Sequence, residues 1–127
     1  MQERITTAGV LEREGTYLVG RRIKGGSIGR LWEFPGGKNR WGETEADTLM
    51  REWDEELNLH IAVGSFLMSY DFTNKETRYH LKAYRVFCTD LSKMELRVHT
   101  EVHFFDVKLL RTLPFAPSDQ KILEILP

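Results

Sequence analysis

The chain has 127 residues, 41% of them hydrophobic and 29% charged, with a formal net charge of −1. That length bounds a single domain, residues 1–127, able to bury about two-thirds of the surface its unfolded form exposes. The near-neutral balance excludes the strongly basic face of a duplex nucleic-acid binder, no window reaches the ~18 consecutive apolar residues of a membrane span, and a lone cysteine, Cys88, excludes an intrachain disulfide. An anionic ligand therefore needs local devices, either placed arginines or metal ions. Met1-Gln2-Glu3-Arg4 leads into a short apolar run with no signal segment, so a cytoplasmic, reducing setting is the expectation.

In chain order, Ile5 to Leu11 is apolar and reads as a buried strand, closed by a turn at Glu12-Arg13-Glu14-Gly15. Thr16 to Arg22 reads as the returning strand of a hairpin. Ile23 to Arg30, with Gly25-Gly26 and Gly29, is loop, and Leu31-Trp32-Glu33-Phe34 is a short extended segment stopped by Pro35-Gly36-Gly37. From Thr44 the period changes: Ala46, Leu49, Met50, Trp53 and Leu57 fall in one apolar sector of a helix. Thr44 and Asp47 form a capping-box pair, and Asn58 suits a left-handed exit. Strands follow at Ile61 to Phe72, Thr77 to Cys88 and Val102 to Val107. A last helix, Ser118 to Leu126, begins after Pro117 with Ser118 as N-cap. Strands flanking two helices give an α/β fold with no linker, repeat or low-complexity tract.

The segment Glu43 to Glu56 carries the chemistry. On a helix Glu52, Glu55 and Glu56 stand at i, i+3 and i+4 and share one face beside the apolar one. Like charges at these spacings cost roughly 0.2–0.5 kcal/mol each. The last turn, with Asp54, Glu55 and Glu56, disfavours anions by a further 0.3–1 kcal/mol or so apiece. A solvated acidic face is the plain alternative, but carboxylates crowded where they destabilise the helix are what a hard divalent cation needs. Arg21 and Arg22 end the second strand, and paired arginines suit phosphate recognition as well as simple solvation.

Gly37-Lys38-Asn39-Arg40-Trp41-Gly42-Glu43, then seven residues, then Arg51-Glu52-Trp53-Asp54-Glu55-Glu56-Leu57-Asn58-Leu59 resembles the Nudix box, GX5EX7REUXEEXGU with U apolar. Every fixed position matches except the second glycine, here Asn58, which tolerates the same left-handed conformation. Trp32 to Lys38 resembles the MutT-like branch. The resemblance implies an α/β/α sandwich with a mixed β-sheet, the box forming loop-helix-loop. It implies that Glu52, Glu55 and Glu56 are metal ligands, with the Gly36 carbonyl as a further one. It gives Glu43 and Arg51 the task of orienting loop and carboxylates, a task that shades into a purely structural ion pair. It implies a further carboxylate from a later loop, for which Glu101 stands as well as a plain surface residue would, because the acid expected just upstream falls on Val98. Arg78 occupies a place where MutT-like enzymes contact the nucleotide, and Asp119 lies in a corner that resembles the family's base-reading site, although a first-turn Asp also serves the helix dipole. Phe34 either walls the nucleotide pocket or belongs to the core.

The implied activity is Mg2+-dependent hydrolysis, with Mn2+ as a substitute, of a phosphoanhydride bond in a nucleotide substrate. Glu52 or Glu55, and after them Glu101, would accept the water's proton. A nucleoside triphosphate cut to monophosphate and pyrophosphate is the leading expectation, as in clearing of unwanted nucleotides. A nucleotide sugar, a dinucleoside polyphosphate or a capped RNA end are sister readings, and the oligomeric expectation is a monomer or homodimer. A non-catalytic Nudix-fold binding module is the remaining alternative, against which the full set of box carboxylates stands.

Overall fold

The computed structural model describes residues 1–127. Its elements are β1 Gln2–Val10, β2 Glu12–Arg13, β3 Thr16–Arg22, β4 Trp32–Glu33, α1 Glu45–Leu57, β5 Ala62–Asn74, β6 Thr77–Phe87, β7 His99–Phe105, α2 Val107–Leu110 and α3 Pro117–Leu123. One sheet has the order β1-β6-β5, with β1 parallel to β6 and β5 antiparallel to it. In the second sheet β3 is the centre, with β2 and β4 along one edge and β7 along the other, all antiparallel. Alternation on β3 separates two cores: Tyr17 and Val19 join Phe34, Leu81, Phe115 and Ile122 on the α3 side, while Leu18 joins Leu49, Trp53, Leu57 and Val86 on the α1 side. The layers are therefore α1, mixed β, then α2 with α3, an α/β/α sandwich. No helix is long and apolar enough to cross a membrane.

Helix α1 forms as its caps dictate. Thr44 accepts from the Asp47 N–H at 3.0 Å, Asp47 accepts from the Thr44 N–H at 3.1 Å, and Asn58 ends the helix at φ 55°. The unfavourable acidic last turn is relieved from far along the chain. Arg97 donates to the carbonyls of Asp54 and Glu55, both at 3.1 Å, and the N–H groups of Glu95 and Arg97 take the Leu57 and Glu56 carbonyls. Met50 departs from the apolar sector, being 40% exposed at its edge.

Several boundaries differ from expectation: β1 starts at Gln2, β5 runs on to Asn74 and α3 ends at Leu123, and three others have a clear local cause. β7 starts at His99, because His99 pairs with Arg22 of β3 and Thr100 is carried as the unpaired residue of the irregularity between them. Val107 opens the short α2, whose N-cap Asp106 accepts from the Leu109 N–H at 2.9 Å, instead of ending a strand. The last helix starts at Pro117 with Ala116 as N-cap, and Ser118 Oγ bonds the Asp119 carboxylate at 3.3 Å.

His80 clamps the first sheet across three strands. Its Nδ1 lies 2.8 Å from Asp71 on β5 and its Nε2 lies 2.8 Å from Glu3 on β1, while Arg78 also reaches Asp71 at 3.4 Å. Asp71 first, then Glu3, holds the imidazole pKa above its ordinary 6.5. The charged ring's contribution is complete below pH 6.5 and disappears as pH rises through the raised value. Melting temperature should accordingly fall above that pH in the native protein, with a flatter slope in His80→Gln. Equal slopes in the two proteins would contradict the clamp.

Candidate active site

The loop after β4 is laid along β1 like an extra strand. Thr7 N–H donates to the Gly37 carbonyl and Gly9 N–H to that of Pro35, both at 2.8 Å, and Asn39 N–H donates to Ile5 at 2.9 Å. Trp53 of α1, fully buried, donates its indole N–H to the same Pro35 carbonyl at 2.8 Å. Between these two engaged carbonyls the Gly36 carbonyl accepts no hydrogen bond. Gly37 packs so closely on the Glu52 carboxylate that a Cβ there would overlap it, which ties loop to helix at the stripe.

Arg51 organises the carboxylates. Its Nε donates to Glu43 at 2.6 Å, its Nη1 to Glu52 at 2.7 Å and Glu55 at 3.2 Å, and its Nη2 to the Lys38 carbonyl at 3.0 Å. Glu43 also accepts from the Arg40 N–H at 2.9 Å and the Thr48 hydroxyl at 3.0 Å. The Arg51 guanidinium, with these other donors, holds the Glu43 carboxyl down at about 2. Arg51 and Glu43 are thus bonded to each other and to the loop, the geometry of positioning residues. Glu55 is half exposed, with Arg40 3.9 Å away.

Glu56 differs from the rest of the stripe. It is buried, and its Oε1 has no hydrogen-bond partner. Burial first, then the neighbouring Glu52 and Glu33 carboxylates, push its pKa far above the usual carboxylate range. A buried carboxylate among like charges with an open oxygen calls for a cation. The donor set of three carboxylates and a free peptide carbonyl is all oxygen, which fits a hard divalent ion.

Two further residues face Glu56, and neither stood out in the sequence. Glu33 and His99 are both buried and 2.8 Å apart, and their ligand atoms lie within 4.8 Å of Glu56. An irregularity in the β3–β7 ladder pairs Arg22 with His99 instead of Thr100, and Arg22 donates to Glu33 at 3.2 Å. Spacing alone holds no signal for a pair 66 residues apart. The one available hint was a glutamate in an apolar strand, Leu31-Trp32-Glu33-Phe34, where a buried charge requires partners.

The other expected site residues sit as follows. Glu101 pairs with Arg21 at 3.7 Å and His103 at 2.9 Å. Its neighbour Val102 joins the α1 core, so Glu101 points to the opposite face and is not brought to the stripe. Arg78 lies on β6, tied to Asp71. Phe34 is a core residue, 5.6 Å from Phe115 between ring centres. Asp119 is buried beside it, accepting from the Phe34 N–H at 2.7 Å. Burial first, then the Glu33 charge, push the Asp119 pKa up to about 8.

A family model described as a NUDIX domain matches residues 6–125. The chain is 30% identical over 118 residues to a CTP pyrophosphohydrolase of Escherichia coli (strain K12), covering 92% of this chain and 86% of that one. It is 31% identical over 71 residues to an 8-oxo-dGTP diphosphatase of Proteus vulgaris, covering 54% of this chain and 63% of that one. The crystal structure of a MutT NUDIX hydrolase from Burkholderia pseudomallei shares the fold, with a TM-score of 0.81, 21% identity and full coverage of both chains. With the box present on α1 and its loop in all but its second glycine, and the domain match running almost end to end, the chain belongs to the Nudix hydrolase family.

Proposed function

We propose that the protein hydrolyses a phosphoanhydride bond of a nucleoside triphosphate with Mg2+, releasing the nucleoside monophosphate and pyrophosphate. The observation that carries this reading is the open, buried Glu56 oxygen beside Glu52 and the free Gly36 carbonyl. Glu52, Glu55 and Glu56, with the Gly36 carbonyl, would hold the ions, and Mn2+ would substitute. Divalent cations there supply neutralisation of phosphate charge and a lowered pKa for a bound water. Glu52 and Glu55 are the proposed proton acceptors: the water oxygen bonds phosphorus, the bridging P–O bond breaks, and the water's proton passes to a glutamate. Arg22, at the rim beside Glu56, would contact a phosphate.

Asp119 is the proposed reader of the base edge, since a carboxyl that retains its proton both donates and accepts. Its raised pKa makes native stability fall as pH climbs from 3.8 to about 8, because the folded state holds the proton longer. Asp119→Asn should remove that slope, keep the bond from Phe34, and change the ranking of bases by KM. A variant with unchanged base ranking would count against the assignment.

The names of two relatives, a CTP pyrophosphohydrolase and an 8-oxo-dGTP diphosphatase, support a triphosphate, whereas that of a third, an ADP-ribose pyrophosphatase of Methanocaldococcus jannaschii, supports the sister reading of another nucleoside diphosphate derivative. The deciding assay is a nucleotide panel with Mg2+ and identified products. Pyrophosphate plus a monophosphate is expected. Two monophosphates from a nucleotide sugar, with triphosphates untouched, would overturn the substrate class.

A further inference from the structure

The only two buried side-chain polar atoms without a hydrogen-bond partner, Glu56 Oε1 and His99 Nδ1, belong to one cluster. In it, a single oxygen does double duty. Glu33 Oε2 accepts from Arg22 Nη1 at 3.2 Å and lies 2.8 Å from His99 Nε2. Those same two nitrogens are each 4.0 Å from Glu56 Oε1. Once ionised, as holding a metal ion requires, a buried unpaired carboxylate is strongly unfavourable, so the nearest cation closes on it unless something else holds that cation. His99 has little freedom: its ring lies on Gly20, where an added Cβ would stand 2.6 Å from Cδ2. Arg22, long and 28% exposed, is the group free to swing.

We propose that Glu33 is a positioning residue that retains Arg22 and His99, and so keeps the Glu56 oxygen open for a divalent cation. This rests on the reading of Glu56 as a cation ligand. Without the Glu33 charge, Arg22 would pair with Glu56 and close the site from within. Glu33 then acts on metal affinity through Arg22, a dependence that a ligand or a packing residue would not show.

The experiment is Mn2+ titration of the full chain without nucleotide, following free Mn2+ by its electron paramagnetic resonance signal. Glu33→Gln should lower affinity by about tenfold or more, and Glu33→Gln/Arg22→Gln should return it to within about threefold of Arg22→Gln alone. Arg22→Gln alone should bind no more weakly than the native protein. An unchanged affinity in Glu33→Gln, or a double variant as weak as Glu33→Gln, overturns the proposal. If Glu33→Gln does not fold, Arg22→Gln decides: equal or tighter binding supports the proposal and weaker binding overturns it. Glu56→Gln separates the two levels. Loss of Mn2+ there with an unaffected Glu33→Gln refutes the Glu33 role alone, whereas Mn2+ retained in Glu56→Gln refutes the ligand reading and this one together.

Discussion

Glu56→Gln should lower kcat by about 10³-fold or more while leaving the fold intact. A cation at a phosphoryl centre supplies several kcal/mol of charge stabilisation, and each 1.36 kcal/mol or so is tenfold in rate. The substitution keeps the shape and removes the charge that burial, Glu52 and Glu33 all oppose. Melting temperature without metal should therefore stay level or rise. The native protein should gain about 2.7 kcal/mol from a divalent ion at a hundred times its dissociation constant, and the variant should gain none. Steady-state kinetics with paired melts, plus and minus Mn2+, check this. Wild-type turnover in Glu56→Gln would remove Glu56 from the chemistry, and a collapsed melt would make its role structural.

The second large effect is on stability. Trp53 is fully buried among Leu18, Leu49, Leu57 and Val86, and it alone links the α1 core to the Pro35 carbonyl through a side-chain bond. Trp53→Ala should cost about 3–5 kcal/mol, a large share of the roughly 5–15 kcal/mol that holds a domain of this kind together. Trp53→Phe retains most of the volume but gives up the indole N–H, so it should cost less in stability. Because that bond fixes the loop carrying Gly36 and Gly37, Trp53→Phe should still weaken Mn2+ binding. Denaturant midpoints at constant m-value measure the first effect. A loss under about 1 kcal/mol for Trp53→Ala would mean that the site refills or was never tightly packed.

Where the sequence was explicit, local chemistry was the reason. The capping box of Thr44 and Asp47, the left-handed Asn58 and the apolar sector of Leu49, Trp53 and Leu57 all act within a few residues, and α1 forms between those limits. The i, i+3, i+4 glutamates follow directly from that helix. What could not be seen depends on pairings made by the fold. Arg97 caps the helix end from some 40 residues away, which explains how an acidic last turn is tolerated. Glu33 and His99 meet only because β4 and β7 flank β3 on opposite edges and the β3–β7 ladder slips by one residue. Arg22 reaches Glu33 through the β3–β4 pairing, in which Glu33 lies opposite Gly20, two residues before Arg22 on the same face of β3, and it ends 4.0 Å from Glu56. Glu101 reads as an acid in the right region, but strand alternation turns it toward Arg21 and His103. Ser118 is a good N-cap residue by type, yet Pro117 begins the helix earlier and leaves the serine to Asp119.

Anomalous scattering from crystals soaked with Mn2+ and a non-hydrolysable triphosphate analogue tests directly whether the Glu52–Glu56 stripe holds divalent cations. Manganese peaks bounded by the Glu52 and Glu56 carboxylates and the Gly36 carbonyl are expected, with analogue phosphates on their open side. Nucleotide bound with no manganese among these three groups, and Glu56 still unpaired, would contradict that expectation.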